Sequence, residues 1–396
     1  MKKVTIVGGG ASAHVLAPLL SSLNYQVTIL TRKPKLWKEN IKVEFKDEFG
    51  NLEKEIGGTL KLITDNTKKA IESADIIILC LPVAQYFNML MKIGQYIPRE
   101  REVFVGMLYG QGGVNLMFQE MKNKFNLTNM VYFSYGLIPF ICRIKKYGEI
   151  GITYGAKCNN VVAVHPREKF NKLNEIFLSK VCYYFFNNER AHQSDNFVSL
   201  TLSASNQIIH ISRMYGLYCK NKYGWENKED IPYFYRDFDS FSADTLGALD
   251  KDYEKIREKI KKTHVNEDFK YMINFLDLVN FSYSLDNKNI QESFTTSKTL
   301  NQITTPVVLE NNRYVLDKNS RFFTDDIFYG LAIAKWIGNY YKLELPMINT
   351  LLKWAEDYLG IKIIENNILN ENCSYNNVSI GLPSKYSEGI SEKFID

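Results

Sequence analysis

Near its start the chain reads Val4-Thr5-Ile6-Val7-Gly8-Gly9-Gly10-Ala11-Ser12-Ala13, and Gln26-Val27-Thr28-Ile29-Leu30 follows about a dozen residues later. Two short apolar runs on either side of a glycine-rich turn and a helix predict a strand, turn, helix and strand. In a G-x-G-x-x-A turn the first glycine permits the bend, the second lets the backbone approach a pyrophosphate, and the alanine lets the helix pack on the strand. The stretch therefore predicts a dinucleotide site, whose turn residues are Gly8, Gly10, Ala11, Ser12 and Ala13.

The residues after the second strand indicate which dinucleotide is bound. An NAD site usually has Asp or Glu there, which accepts hydrogen bonds from the ribose 2′-hydroxyl. This chain has Thr31, Arg32 and Lys33 instead. A hydroxyl and a guanidinium can bind a 2′-phosphate that a carboxylate would repel, so we expect NADP(H) in preference to NAD(H). The alternative, that Arg32 and Lys33 are ordinary solvated charges, stays open.

Length, charge and cysteine spacing narrow the class of protein. A chain of 396 residues suggests two domains, and its net charge of +5 is small against 49 basic and 44 acidic residues. That balance predicts no nucleic-acid-binding face. The six cysteines form no C-x-x-C pair, so neither a metal site nor a disulfide framework is expected. With no secretory signal or membrane-length apolar run, we expect a cytoplasmic protein and no membrane partner.

The pattern of elements divides the chain into two parts. Alternating strands and helices predict a Rossmann-type α/β domain over residues 1–185, and helical periodicity predicts an all-α domain over residues 186–396. Residues 150–154 and 160–164 are expected to pair as antiparallel strands. The apolar run that ends at Leu81 and Pro82 predicts a central strand whose carboxyl end lines the cofactor. The long helices are predicted at 197–220, 245–261, 268–282, 326–340 and 346–359.

Two sets of polar residues in the second half could take part in chemistry. Asn206 and His210 are four residues apart and therefore share one face of a helix. Thr324 is predicted to cap the helix at 326–340, and capping alone would explain Asp325 and Asp326 beside it. A catalytic role requires that one of these carboxylates meet His210, which spacing does not show.

Three segments, in order along the chain, resemble the octopine/nopaline (opine) dehydrogenase family. The segment Arg321-Phe322-Phe323-Thr324-Asp325-Asp326-Ile327-Phe328-Tyr329-Gly330-Leu331, followed by Leu345-Pro346-Met347-Ile348-Asn349, is similar to the family's C-terminal signature. Leu137-Ile138-Pro139-Phe140-Ile141-Cys142-Arg143 resembles the loop that closes the nucleotide domain. Ser205-Asn206-Gln207-Ile208-Ile209-His210 resembles the segment with the catalytic histidine.

The resemblance implies an activity and a role for each matching residue. Members of the family join the amino group of an amino acid to a 2-oxo acid, often pyruvate, and reduce the imine with a nicotinamide cofactor. It makes His210 the general acid/base, Asp326 the carboxylate that orients it, and Arg321 a ligand of a substrate carboxylate. We add Arg143, Asn206 and Gln111 as candidate substrate contacts, although a surface ion pair for Arg143 and simple turn chemistry for Gln111 are equally open.

Other functions remain open at this stage. An opine-type metallophore synthase, which uses a longer aminocarboxylate as its amine, shares the architecture. A ketone reductase resembling ketopantoate reductase or glycerol-3-phosphate dehydrogenase would need a lysine that the helix around His210 does not offer. A non-catalytic NADPH sensor would bind the cofactor without turnover. The partners expected are small-molecule substrates and, for assembly, a second copy in a homodimer.

Overall fold

The computed structural model describes residues 2–47, 49–181, 191–297, 300–301 and 303–386. These residues form two compact units. The first extends to Leu200 and includes the short segment Ser282–Ser284, and the second begins at Thr201. The domain boundary that the sequence predicts, between residues 185 and 186, lies outside the described residues.

The strands of the first unit form two sheets. The larger sheet has the order β12-β11-β8-β7-β6-β1-β2-β5, and the smaller one has the order β4-β3-β10-β9. The strands are β1 (Lys3–Val7), β2 (Gln26–Leu30), β3 (Asn40–Lys46), β4 (Leu52–Thr59), β5 (Leu62–Thr64), β6 (Ile76–Leu79), β7 (Val103–Met107), β8 (Met130–Tyr135), β9 (Phe140–Lys146), β10 (Ile150–Ala156), β11 (Asn160–His165) and β12 (Ala191–Ser194).

Strand β1 lies inside the larger sheet, between β2 and β6, and is parallel to both. Val4 is paired with Val27 on one side and with Ile76 on the other. All four residues of β6 are buried, as expected for a parallel strand covered on both faces. The chain passes from β1 to β2 on one side of β1, and later adds β6 on the other side. The carboxyl ends of β1 and β6 therefore form the switch point at which doubly wound sheets bind ligands.

The smaller sheet corrects one prediction. Strands β10 and β11 do not pair with each other: β10 lies between β3 and β9, whereas β11 lies between β8 and β12. The connecting residues explain why no hairpin forms. Lys157 N–H donates to Pro139 O, and Asn159 N–H donates to Ser282 O, so the backbone is held by other segments. Strand β4 was not predicted from the sequence, because its residues are mostly exposed and charged and show no apolar pattern.

The helices in chain order are α1 (Ala11–Ser22), α2 (Thr67–Ile71), α3 (Tyr86–Gly94), α4 (Val114–Phe125), α5 (Phe170–Leu173), α6 (Ser179–Val181), α7 (Phe197–Leu202), α8 (Asn206–Lys220), α9 (Ser240–Thr263), α10 (Phe275–Tyr283), α11 (Ile290–Thr295), α12 (Ala332–Tyr340) and α13 (Pro346–Leu359). A π-helix, Phe322–Leu331, leads directly into α12. None of the helices in the described ranges is long and apolar enough to cross a lipid bilayer.

Three of the predicted helices differ from the observed ones. The helix predicted at 268–282 begins only at Phe275 and is α10. The helix predicted at 197–220 is interrupted between α7 and α8, where Ser203 Oγ donates to Tyr271 O and accepts from Ile273 N–H. The two bonds tie Ser203 to residues 68 and 70 positions later in the chain. Thr324 does not cap a helix, because the helical chain already begins at Arg321 and Thr324 lies inside the π-helix. The start is set by Ser320, whose Oγ accepts from Phe322 N–H at 3.4 Å.

The second unit is mainly helical, with short hairpins added. One hairpin pairs β13 (Val307–Glu310) with β14 (Arg313–Leu316), and two smaller ones follow α13. The latter comprise β15 (Ile364–Glu365), β16 (Ile368–Leu369), β17 (Ser374–Tyr375) and β18 (Val378–Ser379). The predicted fold class, a Rossmann-type domain followed by a helical domain, is confirmed.

Candidate active site

The glycine-rich turn lies at the switch point of the larger sheet. Gly8 has a φ of +118° and donates its N–H to Leu30 O at 2.9 Å. A Cβ at this position would lie 2.3 Å from Cys80 O and 2.9 Å from a methyl group of Leu81. Glycine is required here for both conformation and space. The turn also brings Gly8 next to Leu81, whereas Pro82, the next residue, is exposed.

The first turn of α1 fits a pyrophosphate. Gly10 is the N-cap residue, and no side chain in the described ranges caps this helix. The first-turn N–H groups of Ala11, Ser12 and Ala13 are therefore not bonded to a capping side chain and can donate to a ligand. A Cβ at Gly10 would meet no atom closer than Cys80 O at 3.8 Å, so there is open space in front of the turn. Donors at the positive end of the helix dipole, beside open space, suit a phosphate.

Thr31 and two aromatic residues gather around Gly9, next to this turn. An ideal Cβ at Gly9 would lie 2.6 Å from Tyr147 Oη, 3.1 Å from Thr31 Oγ1 and 3.5 Å from Trp37 Nε1. Trp37 is 5% exposed, and its Nε1–H has no acceptor within the ranges that the structure describes. Arg32 and Lys33 follow Thr31 and are exposed. Trp37 and Tyr147 were missed by the sequence analysis, since neither belongs to a recognisable motif.

His14 connects the same turn to the smaller sheet. Its Nδ1 lies 2.9 Å from Gly10 O, and its Nε2 accepts the N–H of Gly148 at 2.6 Å. The ring stands 4.3 Å from that of Trp37, between centroids. Burial lowers the pKa of His14 below its usual value, against the opposing effect of the Gly10 carbonyl. A neutral imidazole with the proton on Nδ1 satisfies both contacts.

Two predicted substrate contacts lie in the first unit and have backbone partners. The buried side chain of Gln111 donates from Nε2 to Leu200 O at 2.7 Å. Arg143, on β9, is exposed and donates from Nη1 to Cys142 O at 2.8 Å.

In the second unit, His210 and Asp326 form a buried hydrogen-bonded pair. His210 Nδ1 lies 2.7 Å from Asp326 Oδ2, and each residue is 3% exposed. The histidine comes from α8 and the aspartate from the π-helix, 116 residues later. These two helices approach closely at Gly330, where a Cβ would lie 2.5 Å from Gln207 Cβ. Of the two neighbouring carboxylates, Asp326 is the one that meets the histidine.

The other nitrogen of His210 faces a tyrosine. His210 Nε2 lies 3.0 Å from Tyr235 Oη. Because an aspartate carboxylate only accepts, the proton of the neutral imidazole is on Nδ1, and Nε2 accepts from the tyrosine hydroxyl. From the sequence alone, Tyr235 is as compatible with a hydrophobic core as with a substrate pocket, because it lies in an aromatic stretch.

Burial and two opposite charges set the ionisation of His210. Burial lowers its pKa below the usual value, Asp326 acts in the raising direction, and the Arg321 guanidinium lowers it further. Phe322 stacks on the imidazole, with 3.9 Å between ring centroids, and Phe234 contacts it edge-on. The imidazole is therefore neutral at pH 7, and Asp326 is in position to stabilise the imidazolium form if a proton arrives.

The remaining predicted residues of this unit lie near the histidine. Arg321 is exposed and directly precedes Phe322. Its positive charge lowers the pKa of His210. Asn206 is partly exposed and lies one turn before His210 on α8. Within the described part of the chain, no group of three or more His, Cys, Asp or Glu residues is arranged to hold a metal ion.

Comparison with known proteins identifies two matching domain models and several relatives that span most of the chain. Residues 193–359 match the model for the α-helical domain of NAD/NADP octopine/nopaline dehydrogenases, and residues 3–105 match that for coenzyme F420-dependent NADP oxidoreductases. Tauropine dehydrogenase from Arabella iricolor is 24% identical over 91% of this chain and 92% of its own. Opine dehydrogenase from Haliotis discus hannai is 25% identical over 92% of both chains. These matches support the octopine/nopaline dehydrogenase family that the three sequence segments resemble.

An octopine dehydrogenase of known structure has the same fold as this chain. The octopine dehydrogenase structure in complex with NADH and agmatine superposes with a TM-score of 0.80 at 20% identity, over 98% of this chain and 96% of its own. Both matched domain models and the curated relatives are nicotinamide-dependent oxidoreductases, and the chain is an oxidoreductase that uses a nicotinamide dinucleotide. The glycine turn of the first unit is consistent with that cofactor.

Proposed function

We propose that this protein is an opine dehydrogenase that condenses an amino acid with a 2-oxo acid, such as pyruvate, and reduces the product with NADPH. The product would be an N-(1-carboxyalkyl) amino acid. The observation that carries the proposal is the buried pair of His210 Nδ1 and Asp326 Oδ2, in a family of dehydrogenases named for opines. NADPH, when bound, would supply the hydride that reduces the imine carbon.

The proton chemistry of this condensation suits a neutral imidazole. An amino acid arrives as an ammonium ion, so one proton must leave before the amine can attack the carbonyl carbon. His210 is neutral and can take that proton, because burial holds its pKa low. The carbinolamine then loses its hydroxyl as water, which requires one proton back. Asp326 would stabilise the imidazolium between these two steps and keep Nε2 as the reacting nitrogen.

Substrate carboxylates need cationic partners. We propose Arg321 as the main one, since its exposed guanidinium lies close enough to His210 to lower the pKa of the imidazole. Asn206, one turn before His210, would provide a hydrogen bond to the same substrate. Arg143 and Gln111 are proposed as further contacts on the strength of their place in the sequence.

The preference for NADPH rests on the groups near Gly9 and at the end of β2. Hydrogen-bond donors from Thr31, Trp37 and Tyr147 lie beside the turn, and the exposed cations Arg32 and Lys33 follow. This set suits a 2′-phosphate better than a lone 2′-hydroxyl. Similar structures contain either cofactor, NADH in octopine dehydrogenase and NADP+ in yersinopine dehydrogenase, so the proposed preference rests on this chain's own residues.

The test is a substrate matrix, followed by absorbance of the reduced cofactor. Pyruvate and other 2-oxo acids are combined with a panel of amino acids and with no amine, using NADPH and NADH in parallel. We expect oxidation only when both substrates are present, and faster with NADPH. Oxidation without an amine would indicate a ketone reductase. Tight NADPH binding without turnover for any pair would indicate a sensor, and turnover with only longer aminocarboxylates would indicate a metallophore synthase.

His210→Ala provides the matched test of the site. We expect turnover to fall by at least about 100-fold, the lower bound for a general acid/base, with nearly unchanged NADPH affinity. His264→Ala is the control, because His264 lies in the same unit and bonds the Tyr341 hydroxyl through Nε2. A His210→Ala enzyme with full activity would remove the assignment of His210.

A further inference from the structure

The tyrosine hydroxyl at His210 occupies the nitrogen that the proposed chemistry needs. Nδ1 is engaged by Asp326 at 2.7 Å, so protons can enter and leave the imidazole only at Nε2. That nitrogen lies 3.0 Å from Tyr235 Oη. A proton that reaches Nε2 in this arrangement therefore passes through the tyrosine oxygen.

The imidazole is enclosed on its other sides. Phe322 stacks on one face with an interplanar angle of 21°, and Phe234 approaches edge-on at 5.7 Å between centroids. Only 3% of the His210 surface is exposed. A substrate ammonium group would have to displace one of these rings to touch Nε2 directly. Tyr235 is also buried but is more exposed than His210, at 7%, and its hydroxyl already contacts Nε2, so a proton relayed through it would leave both rings in place.

The loop that carries Tyr235 is fixed by a buried arginine. Arg213, one turn after His210 on α8, is fully buried and donates to the carbonyls of Tyr233, Phe234 and Asp237 at 3.2, 3.0 and 2.8 Å. These carbonyls lie on both sides of Tyr235. The same helix therefore carries the histidine and the residue that holds the tyrosine against it. The tyrosine is built into the site and has little freedom to adopt another position.

We propose that Tyr235 is the positioning and relay residue through which His210 exchanges protons with the substrate. In the first step a proton moves from the substrate ammonium nitrogen to Tyr235 Oη while the hydroxyl proton moves to His210 Nε2. The tyrosine is neutral before and after, and the net change is one proton gained by the imidazole. Protonation of the leaving hydroxyl reverses the transfer. This inference rests on the function proposed above.

Tyr235→Phe removes the hydroxyl and keeps the ring, so it tests the relay. We expect the kcat/KM for the amino acid to fall by about 100-fold or more, as for loss of a proton-transfer group, with unchanged NADPH affinity. The dependence of this rate on the D₂O fraction should be curved in the wild type, since two protons move together, and linear in the variant. A hydroxyl with a purely structural role would leave the curvature of the remaining rate unchanged.

The chain offers a matched control in a second tyrosine–histidine pair. Tyr341 Oη lies 3.2 Å from His264 Nε2 in the same unit. Tyr341→Phe should keep the wild-type rate, pH profile and isotope dependence. If Tyr235→Phe also stays within about threefold of the wild type, His210 exchanges protons directly and the proposal is wrong.

A second variant covers the case in which Tyr235→Phe folds poorly. Site-specific 3-fluorotyrosine at position 235 keeps the hydroxyl and lowers its pKa. A relay predicts a shift of the pH–rate profile in this variant, and an unshifted profile overturns the relay.

An NMR measurement separates failure of the relay from failure of the proposed function. The His210 Nε2 signal of ¹⁵N-histidine-labelled protein, identified by its loss in His210→Gln, should shift in Tyr235→Phe without any substrate. An unchanged signal would overturn the relay even if the enzyme is active. A shifted signal in a protein that turns over no substrate pair would support the hydroxyl contact and reject the proposed function.

Discussion

At the scale of single residues, the two nitrogens of His210 have different tasks. Nδ1 is bound to a carboxylate that only accepts, and Nε2 is bound to a hydroxyl that can both donate and accept. This asymmetry selects one neutral tautomer. It leaves Nε2 as the nitrogen whose protonation changes during the proposed reaction.

Asp326→Asn tests this selection of the tautomer. The amide removes the negative charge that stabilises imidazolium, and it can donate to Nδ1 and move the proton to Nε2. We expect kcat to fall by about 10²–10⁴-fold, with nearly unchanged NADPH affinity. Because Asp326 raises the pKa of His210, its loss should also move the acidic limb of the kcat/KM profile to lower pH.

Asp325→Asn is the control for this prediction. Asp325 is a buried carboxylate one residue earlier in the same π-helix. Its neutralisation should leave the acidic limb unchanged, since Asp326 is the residue bonded to Nδ1. Equal losses of kcat in the two variants would mean that the helix, rather than the pairing with His210, is responsible.

At the scale of secondary-structure elements, a clear local pattern predicted structure well. Strand β1, the glycine turn, α1 and β2 follow from periodicity and glycine chemistry, and α13 begins and ends at the predicted residues. Strand β4 was missed because its residues are mostly exposed and charged. The π-helix was missed because its register depends on packing against α8, where Gly330 meets Gln207. No local pattern in Phe322–Leu331 specifies that register.

Arg213→Lys tests how the loop before α9 is held. Lysine keeps the charge but cannot reach the three carbonyls and Asp239 at once, because its single ammonium lacks the planar fork of arginine. We expect a loss of at least about 3 kcal/mol in the free energy of unfolding, from buried acceptors left without donors. Urea denaturation measures this loss. The kcat should fall too, because Tyr235 is no longer fixed at Nε2.

Arg257→Lys separates stability from activity. Arg257 is also fully buried and donates to Leu202 O and Asp250, without contact to the Tyr235 loop. It should lose a similar stability at unchanged kcat, measured at a temperature where the protein is folded. If Arg213→Lys loses stability but keeps its kcat, the arginine supports the fold and does not position Tyr235.

At the scale of the whole molecule, the sequence predicted the cofactor half more directly than the acid/base half. The dinucleotide turn is continuous in the sequence, so its chemistry can be read from ten residues. His210 and Asp326 are separated by 116 residues, and only the family resemblance connected them before their hydrogen bond was seen. Tyr235, Trp37 and Tyr147 carry no motif at all. Their roles depend on tertiary packing, which neither composition nor spacing describes.

Two buried histidines, one in each unit, predict how stability changes with pH. Burial lowers the pKa of both His14 and His210 below the ordinary value of 6.5. Between that value and the lower folded pKa, the unfolded chain binds more protons than the folded one. Stability should therefore fall as the pH drops below about 6.5, by up to about 1.4 kcal/mol per pH unit for each histidine. Melting temperatures measured from pH 7.5 to 5 would show this slope.

His14→Gln and His210→Gln identify the source of this slope. Glutamine offers a donor and an acceptor but does not titrate in this range, so each variant should lose part of the slope whatever its stability at pH 7.5. The double variant should be nearly flat down to about pH 4.5, where protonation of carboxylates with lowered pKa, among them Glu44 and Glu102, begins to destabilise the folded chain. A double variant with the wild-type slope would show that other groups bind the protons. Loss of slope in only one single variant would locate the acid sensitivity in the unit that contains that histidine.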